Sequence, residues 1–159
     1  MSKVVFFCVG TGGHVLPVIN IVKTISKKGI SKSDILVITD NRGEKYFRDS
    51  SLEIITYPFV SSTKGIVGYF LNLFKIVISV FVIFKRLRKL NISFIFTTGA
   101  YIAPVAAVLS VMLRTKFYIQ EQNIFAGLGN KVSAFCADGV FTSFPNTNNI
   151  SQKKIDFSG

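Results

Sequence analysis

Gly10-Thr11-Gly12-Gly13-His14 is the stretch whose reading decides the fold. The apolar run Val4-Val5-Phe6-Phe7-Cys8-Val9 leads into it, and Val15, Val18, Ile19, Val22 and Ile25 follow at helical spacing. The segment therefore reads as a strand, a tight glycine turn and a helix. Pro17 falls in the first turn, where its missing N–H does no harm, and Lys27-Lys28-Gly29 ends the helix. Such a turn is an anion site. Glycines let the backbone bend sharply and come close to a ligand, and the unpaired N–H groups and positive dipole end of the helix face whatever lies above the strand. A phosphate or diphosphate suits it.

The loop matches neither of the two best-known phosphate signatures. The dinucleotide fingerprint needs a third glycine where this chain has Val15, and the P-loop needs Gly-Lys-Ser/Thr where it has Gly13-His14-Val15. What the loop adds is His14, the one histidine of the chain. A helix N-terminus disfavours a cationic ring, and a neutral imidazole can take a proton from a hydroxyl nucleophile. His14 is thus a candidate general base; the alternative is that it only caps the turn or bonds the backbone.

Further apolar strands are expected at 35–39, 53–57, 92–96, 116–119 and 139–142, with helical patterns at 44–48, 66–84, 104–113 and up to 136. Strands that are apolar throughout and alternate with helices indicate an α/β fold: a Rossmann-like parallel sheet of about six strands, with helices on both faces. Ligands bind such sheets at the carboxyl ends of the strands. Three polar, glycine-containing loops fall there, at 10–14, 97–101 and 120–130. Asp40 ends the second strand and could hold a ribose, but it lacks the matching glycine pattern and reads as a residue that solvates its loop. Residues 58–68 read as a loop containing Lys64 and Gly65.

Hydrophobic residues make up 49% of the 159, which excludes disorder, and one domain of this size buries about 70% of the surface its unfolded chain exposes. Nineteen Lys plus Arg against eight Asp plus Glu give a net charge of +11. That balance calls for an acidic partner: nucleic acid, anionic lipid or a phosphorylated substrate. No nucleic-acid-binding motif accompanies the charge, so no nucleic-acid partner is expected. Cys8 and Cys136 lie in apolar runs without metal-site or disulfide spacing and read as reduced, buried thiols of a cytosolic protein. The apolar N-terminal run does not end in a small-residue cleavage site, so it is not a signal peptide. No metal or cofactor is expected.

Residues 66–84 are the most apolar stretch, and Lys85-Arg86-Leu87-Arg88-Lys89 follows at once. The length could span a bilayer, but Lys75 near its centre would cost about 2.5 kcal/mol or more. Asn72, Lys75, Ser79 and Arg86 also fall on one helical stripe, which makes the helix amphipathic with a wide apolar face. We expect it to lie partly buried against the sheet, with its basic end at a membrane surface. A plain core helix with a solvated basic end is the alternative.

Taken together, Gly10-Thr11-Gly12-Gly13-His14 with Pro17, Gly99-Ala100-Tyr101 before Pro104, Glu121-Gln122-Asn123 with Gly127 and Asn130, then Ala137-Asp138 and Ser143-Phe144-Pro145, resemble the N-terminal half of the MurG family. That family transfers N-acetylglucosamine from its UDP donor to an undecaprenyl-diphosphate-linked muramyl pentapeptide, at the cytoplasmic face of the inner membrane. The resemblance implies two Rossmann-like domains of the GT-B type facing a cleft. This chain is then the first, which holds the lipid acceptor and docks peripherally on the anionic membrane surface. By motif, Thr11, Gly12, Gly13 and Asn123 contact the donor side and His14 accepts the proton of the acceptor hydroxyl. Gly10, Gly99, Tyr101 and Glu121 line or shape the acceptor pocket, and Lys75, Lys85, Arg86, Arg88 and Lys89 face the membrane.

Three departures stand out. Gln120 occupies a position that is usually histidine, Ala100 replaces a glycine with only Ile102 and Ala103 left before Pro104, and the sequence ends at Gly159, where the family continues into its donor-binding domain. Residues 1–145 read as the domain and 146–159, polar and turn-rich, as a boundary segment. Alone, such a chain is expected to be inactive and to act with a donor-binding domain or subunit, since without a donor site the in-line geometry cannot form. A non-catalytic membrane-docking module that keeps the fold is the competing reading. A nicotinamide oxidoreductase is disfavoured by Val15.

Overall fold

Seven strands, all parallel, form a single sheet in the order β3-β2-β1-β4-β5-β6-β7 in the computed structural model, which describes residues 2–59, 65–150 and 155–157. The elements run β1 Lys3–Phe7, α1 Gly12–Lys27, β2 Ile35–Thr39, β3 Glu53–Thr56, α2 Gly65–Leu87, β4 Ile92–Thr97, α3 Ala103–Leu113, β5 Lys116–Glu121, α4 Leu128–Ser133, β6 Gly139–Thr142 and β7 Ile155–Phe157. Strand β1 lies between β2, with Val4 opposite Ile35, and β4, with Val4 opposite Phe94. The strand order reverses there. The segment leaving β1 heads toward β2 and the one leaving β4 toward β5, which opens a crevice above their carboxyl ends.

The alternation along β1 distributes its side chains between two cores. Val4, Phe6 and Cys8 pack with Val15, Val18 and Val22 of α1 on one face, and Val5, Phe7 and Val9 pack with Ile83 and Leu87 of α2 and with Val105 and Leu109 of α3 on the other. Both faces of the sheet are covered, as strands without a polar side require.

Four expectations need correction. The sheet has seven strands rather than about six: β7, inside the stretch read as a boundary segment, pairs with β6 from Val140 opposite Ile155 to Thr142 opposite Phe157. Three residues carry too short a pattern to be read as a strand; the unpaired edge of β6 supplies the order. Helix α4 ends at Ser133 rather than Cys136, which leaves Cys136 exposed, whereas Cys8 is buried and burial pushes its thiol up to about 12. Helix α2 begins at Gly65, inside the expected loop; Lys64 lies outside the described residues. The fourth concerns which way α2 faces. The helix is apolar on two sides: Ile83 and Leu87 pack into the core beside the buried Ser79, while Phe70, Phe74, Val77 and Phe81 are exposed, and of the polar stripe Asn72 and Lys75 are half-buried and Arg86 is exposed. Among the described residues no helix is long and apolar enough to cross a membrane.

Candidate active site

Three loops converge over the crevice, and a single backbone carbonyl joins them. The Nδ1 of His14, at the start of α1, lies 2.9 Å from the carbonyl oxygen of Thr98, which follows β4. The side-chain amide of Gln122, after β5, donates to the same oxygen at 3.4 Å, and the Thr98 hydroxyl donates back to the His14 carbonyl at 2.6 Å. A carbonyl only accepts, so Nδ1 carries a proton, and in the neutral form of the ring Nε2 is then the acceptor. Among the described residues Nε2 has no hydrogen-bond partner. The ring therefore bonds the backbone through one nitrogen and keeps the other available as a base.

The turn before it runs directly into the start of α1. Thr11 is the N-cap of α1 and makes no side-chain cap bond, so the first N–H groups of the helix, at Gly12 and Gly13, are uncapped. A Cβ on Gly13 would meet nothing within 4 Å: the space above it is open. Gly10 is different, because its N–H donates to Asp40 Oδ1 at 3.0 Å. It holds the turn, at a φ of +86° that favours glycine, instead of offering its amide to a ligand.

Asp40 is the residue that sequence reasoning undervalued. Only 6% exposed, it sits at the end of β2 and accepts from the N–H of Gly10, the N–H of Gly43 at 2.8 Å, the Tyr101 hydroxyl at 3.0 Å and Arg42 Nε at 3.1 Å. Burial pushes its pKa upward, but these four donors outweigh burial and hold the carboxyl below its ordinary value. Tyr101 is tied to the same hub. Burial, then the Asp40 charge, push its phenol up to about 12, so it stays a donor at working pH. Asp40 thereby fastens the second loop to the first.

Gly99, at φ +98°, is pressed against α4: a Cβ there would lie 2.6 Å from Asn130 Nδ2. Ala100, which stands where the family has glycine, adopts a φ of +61°, so the loop keeps a left-handed path with an alanine in it. In the third loop Glu121 is 1% exposed, and its carboxylate accepts from the N–H and side-chain amide of Asn123, both at 2.9 Å, from Gly127 N–H at 3.1 Å and from Asn130 Nδ2 at 2.8 Å. Glu121 shapes the loop from within. Asn123 itself is exposed and, with its amide nitrogen held by Glu121, presents its carbonyl oxygen outward. Gln120 lies within β5.

The five basic residues assigned to a membrane divide. Phe70, Phe74, Val77, Phe81, Lys85 and Arg88 recur at helical spacing on the outer face of α2, all exposed, with Phe74 at 64%. Lys85 and Arg88 thus extend the apolar stripe as a basic end, and Lys89, also exposed, follows it. Arg86 instead pairs with Glu53 of β3 at 3.3 Å, and Lys75 is half-buried. An apolar groove of about 340 Å³ continues the stripe between α2 and α3, lined by Phe81, Val108 and Met112 among others.

Residues 4–142 match the Glycosyltransferase family 28 N-terminal domain. The chain belongs to that family. It is 29% identical over 155 residues to the UDP-N-acetylglucosamine--N-acetylmuramyl-(pentapeptide) pyrophosphoryl-undecaprenol N-acetylglucosamine transferase of Sulfurihydrogenibium sp., covering 97% of this chain and 44% of the relative. To the Rickettsia bellii protein of the same name it is 31% identical over 150 residues, covering 94% and 40%. The family 28 chain thus spans less than half the length of these relatives. Among solved structures, Acinetobacter baumannii MurG superimposes with a TM-score of 0.79 at 22% identity, over 98% of this chain and 45% of that one. Anabaena HepE in complex with UDP and glucose superimposes with a TM-score of 0.64 at 14% identity, over 98% and 44%. Both likenesses are of fold. They match the parallel α/β architecture of a family 28 N-terminal domain.

Proposed function

We propose that this family 28 domain is the acceptor side of a transferase that moves N-acetylglucosamine from UDP-N-acetylglucosamine to a polyprenyl-diphosphate-linked muramyl peptide. The observation that carries the reading is the His14–Thr98 bond, which engages Nδ1 and leaves Nε2 without a partner among the described residues. In the reaction Nε2 takes the proton of the acceptor 4-hydroxyl, whose oxygen bonds to the anomeric carbon as the bond to UDP breaks on the opposite side. The uncapped end of α1, at Gly12 and Gly13, faces the phosphates, and the outward carbonyl of Asn123 accepts from a sugar hydroxyl. The donor-binding domain implied by the family resemblance supplies the remaining contacts to UDP. The test is to join or mix this chain with the donor-binding half of a relative and to measure transfer onto the lipid-linked acceptor. Transfer that depends on both halves is expected; turnover by neither combination would overturn the reading.

We infer that this activity sits at the cytoplasmic face of the membrane, and the outer face of α2 supports docking there. An apolar stripe of this size, turned to the outside and ended by lysine and arginine, suits the boundary between headgroups and acyl chains. Each basic side chain at an anionic surface contributes about 1 kcal/mol, so exchanging Lys85 and Arg88 together for alanine is expected to weaken binding to phosphatidylglycerol vesicles about thirtyfold. Arg86→Ala, which removes a charge already paired with Glu53, should change it far less. Sedimentation with vesicles of graded anionic content measures both. Equal loss from the two sets would mean that net charge, not the α2 face, does the binding.

A further inference from the structure

Arg42 was not singled out by any motif, yet it is the one arginine seated beside the glycine turn. Its Nε and Nη2 both bond Asp40 Oδ2, at 3.1 and 3.0 Å, the same oxygen that accepts from the Tyr101 hydroxyl. Nη2 would lie 3.6 Å from a Cβ on Gly10. Two features set this apart from an ordinary surface ion pair. Asp40 is buried and held by three further donors, so the anchor cannot swing, and the arginine side chain is itself 62% exposed. A guanidinium has five N–H groups; two bond Asp40 here, and the others belong to an exposed side chain. Nη2 already sits at contact distance from the turn at Gly10, so a ligand would approach the exposed end of the guanidinium beside the turn.

Building on the transferase reading, we propose that Arg42 binds a diphosphate group of a substrate, with Asp40 as the positioning residue that aims it. An arginine fork held along one edge presents its other N–H groups in a fixed plane, the arrangement that pairs with two phosphate oxygens at once. Asp40 makes the second loop part of the same device through Tyr101. A diphosphate seated at Gly12 and Gly13 would then be gripped by backbone N–H groups on one side and by a guanidinium on the other. Both substrates carry a diphosphate.

The 159-residue chain is titrated with farnesyl diphosphate and, separately, with UDP, and the amide signals of Gly12 and Gly13 are followed by NMR. Arg42→Ala is expected to weaken one of the two about tenfold, and which one identifies the diphosphate as the acceptor's or the donor's. Arg42→Lys, which keeps the charge but not the fork, should recover only part of the loss. Asp40→Asn should weaken binding in the wild-type background and add nothing further to Arg42→Ala; an additive loss would make Asp40 a structural residue only and remove its positioning role. If Arg42→Ala binds both ligands like the wild type, the proposal fails while the glycine-turn reading stands. If the wild-type chain binds neither, both fail together.

Discussion

Replacing Gly129 by alanine is expected to lower stability by about 3 kcal/mol. Gly129 is the second residue of α4, and a Cβ there would overlap the backbone carbonyl oxygen of Ala100. Neither partner can yield cheaply. The Ala100 carbonyl belongs to a loop held at Gly99 and Ala100 by two positive φ angles and at Tyr101 by the Asp40 bond. Helix α4 carries Asn130, whose amide supports Glu121 at 2.8 Å, so moving the helix away would unseat the third loop. Gly127→Ala is the matched control, since its φ is −64° and a Cβ there meets nothing within 4 Å. Urea unfolding of the two variants should give a much lower midpoint for the first and a change below about 1 kcal/mol for the second. Equal midpoints would mean that the close approach of α4 to the second loop is not needed in solution.

The largest expected effect on activity comes from His14. Removing a positioned general base typically lowers turnover by about 10²- to 10⁴-fold. His14→Ala also deletes the bond to Thr98, so a loss of activity alone would not separate chemistry from loop structure. His14→Asn does separate them, because its amide can still donate to the Thr98 carbonyl but offers no basic nitrogen. In an enzyme reconstituted with a donor-binding half, both variants should lose transfer to a similar degree, while His14→Asn keeps the wild-type melting temperature. Near-normal turnover by His14→Asn would remove the ring from the mechanism. Vesicle binding unaffected in both, with no transfer in any form of the protein, would favour a docking module that has kept the fold.

Much of this was legible because the relevant signals are local. Continuous apolar runs in β1, β2 and β4 marked a sheet covered on both sides, and the Gly10–His14 turn located its ligand end. The site's internal wiring was harder to read. Asp40 meets Gly10 and Tyr101 only because β2 is laid beside β1 and β1 beside β4, and a carboxylate at a strand end gives no hint of which distant donors it will serve. The Thr98 carbonyl has no side-chain signature at all. Glu121 belonged to a recognisable motif, yet its direction depended on four donors gathered by the turn from Asn123 to Asn130. Helix α2 packs partly against the sheet as expected, through Ile83 and Leu87, but a second apolar face turns outward. Hydropathy assigns the apolar side of a helix to the protein, and it cannot represent a second apolar phase outside.

That facing has a consequence for how an acceptor would be found. A helix linking two parallel strands runs antiparallel to them, so α2, about 35 Å long, begins near the crevice and ends at the opposite edge of the sheet. Were its outer face seated in the headgroup layer, as proposed, the sheet would lie along the bilayer and the crevice would open sideways at the height of lipid phosphates. A polyprenyl diphosphate could then drift into the site without leaving its leaflet. The search for substrate would become two-dimensional, with a rate set by lateral diffusion in the membrane.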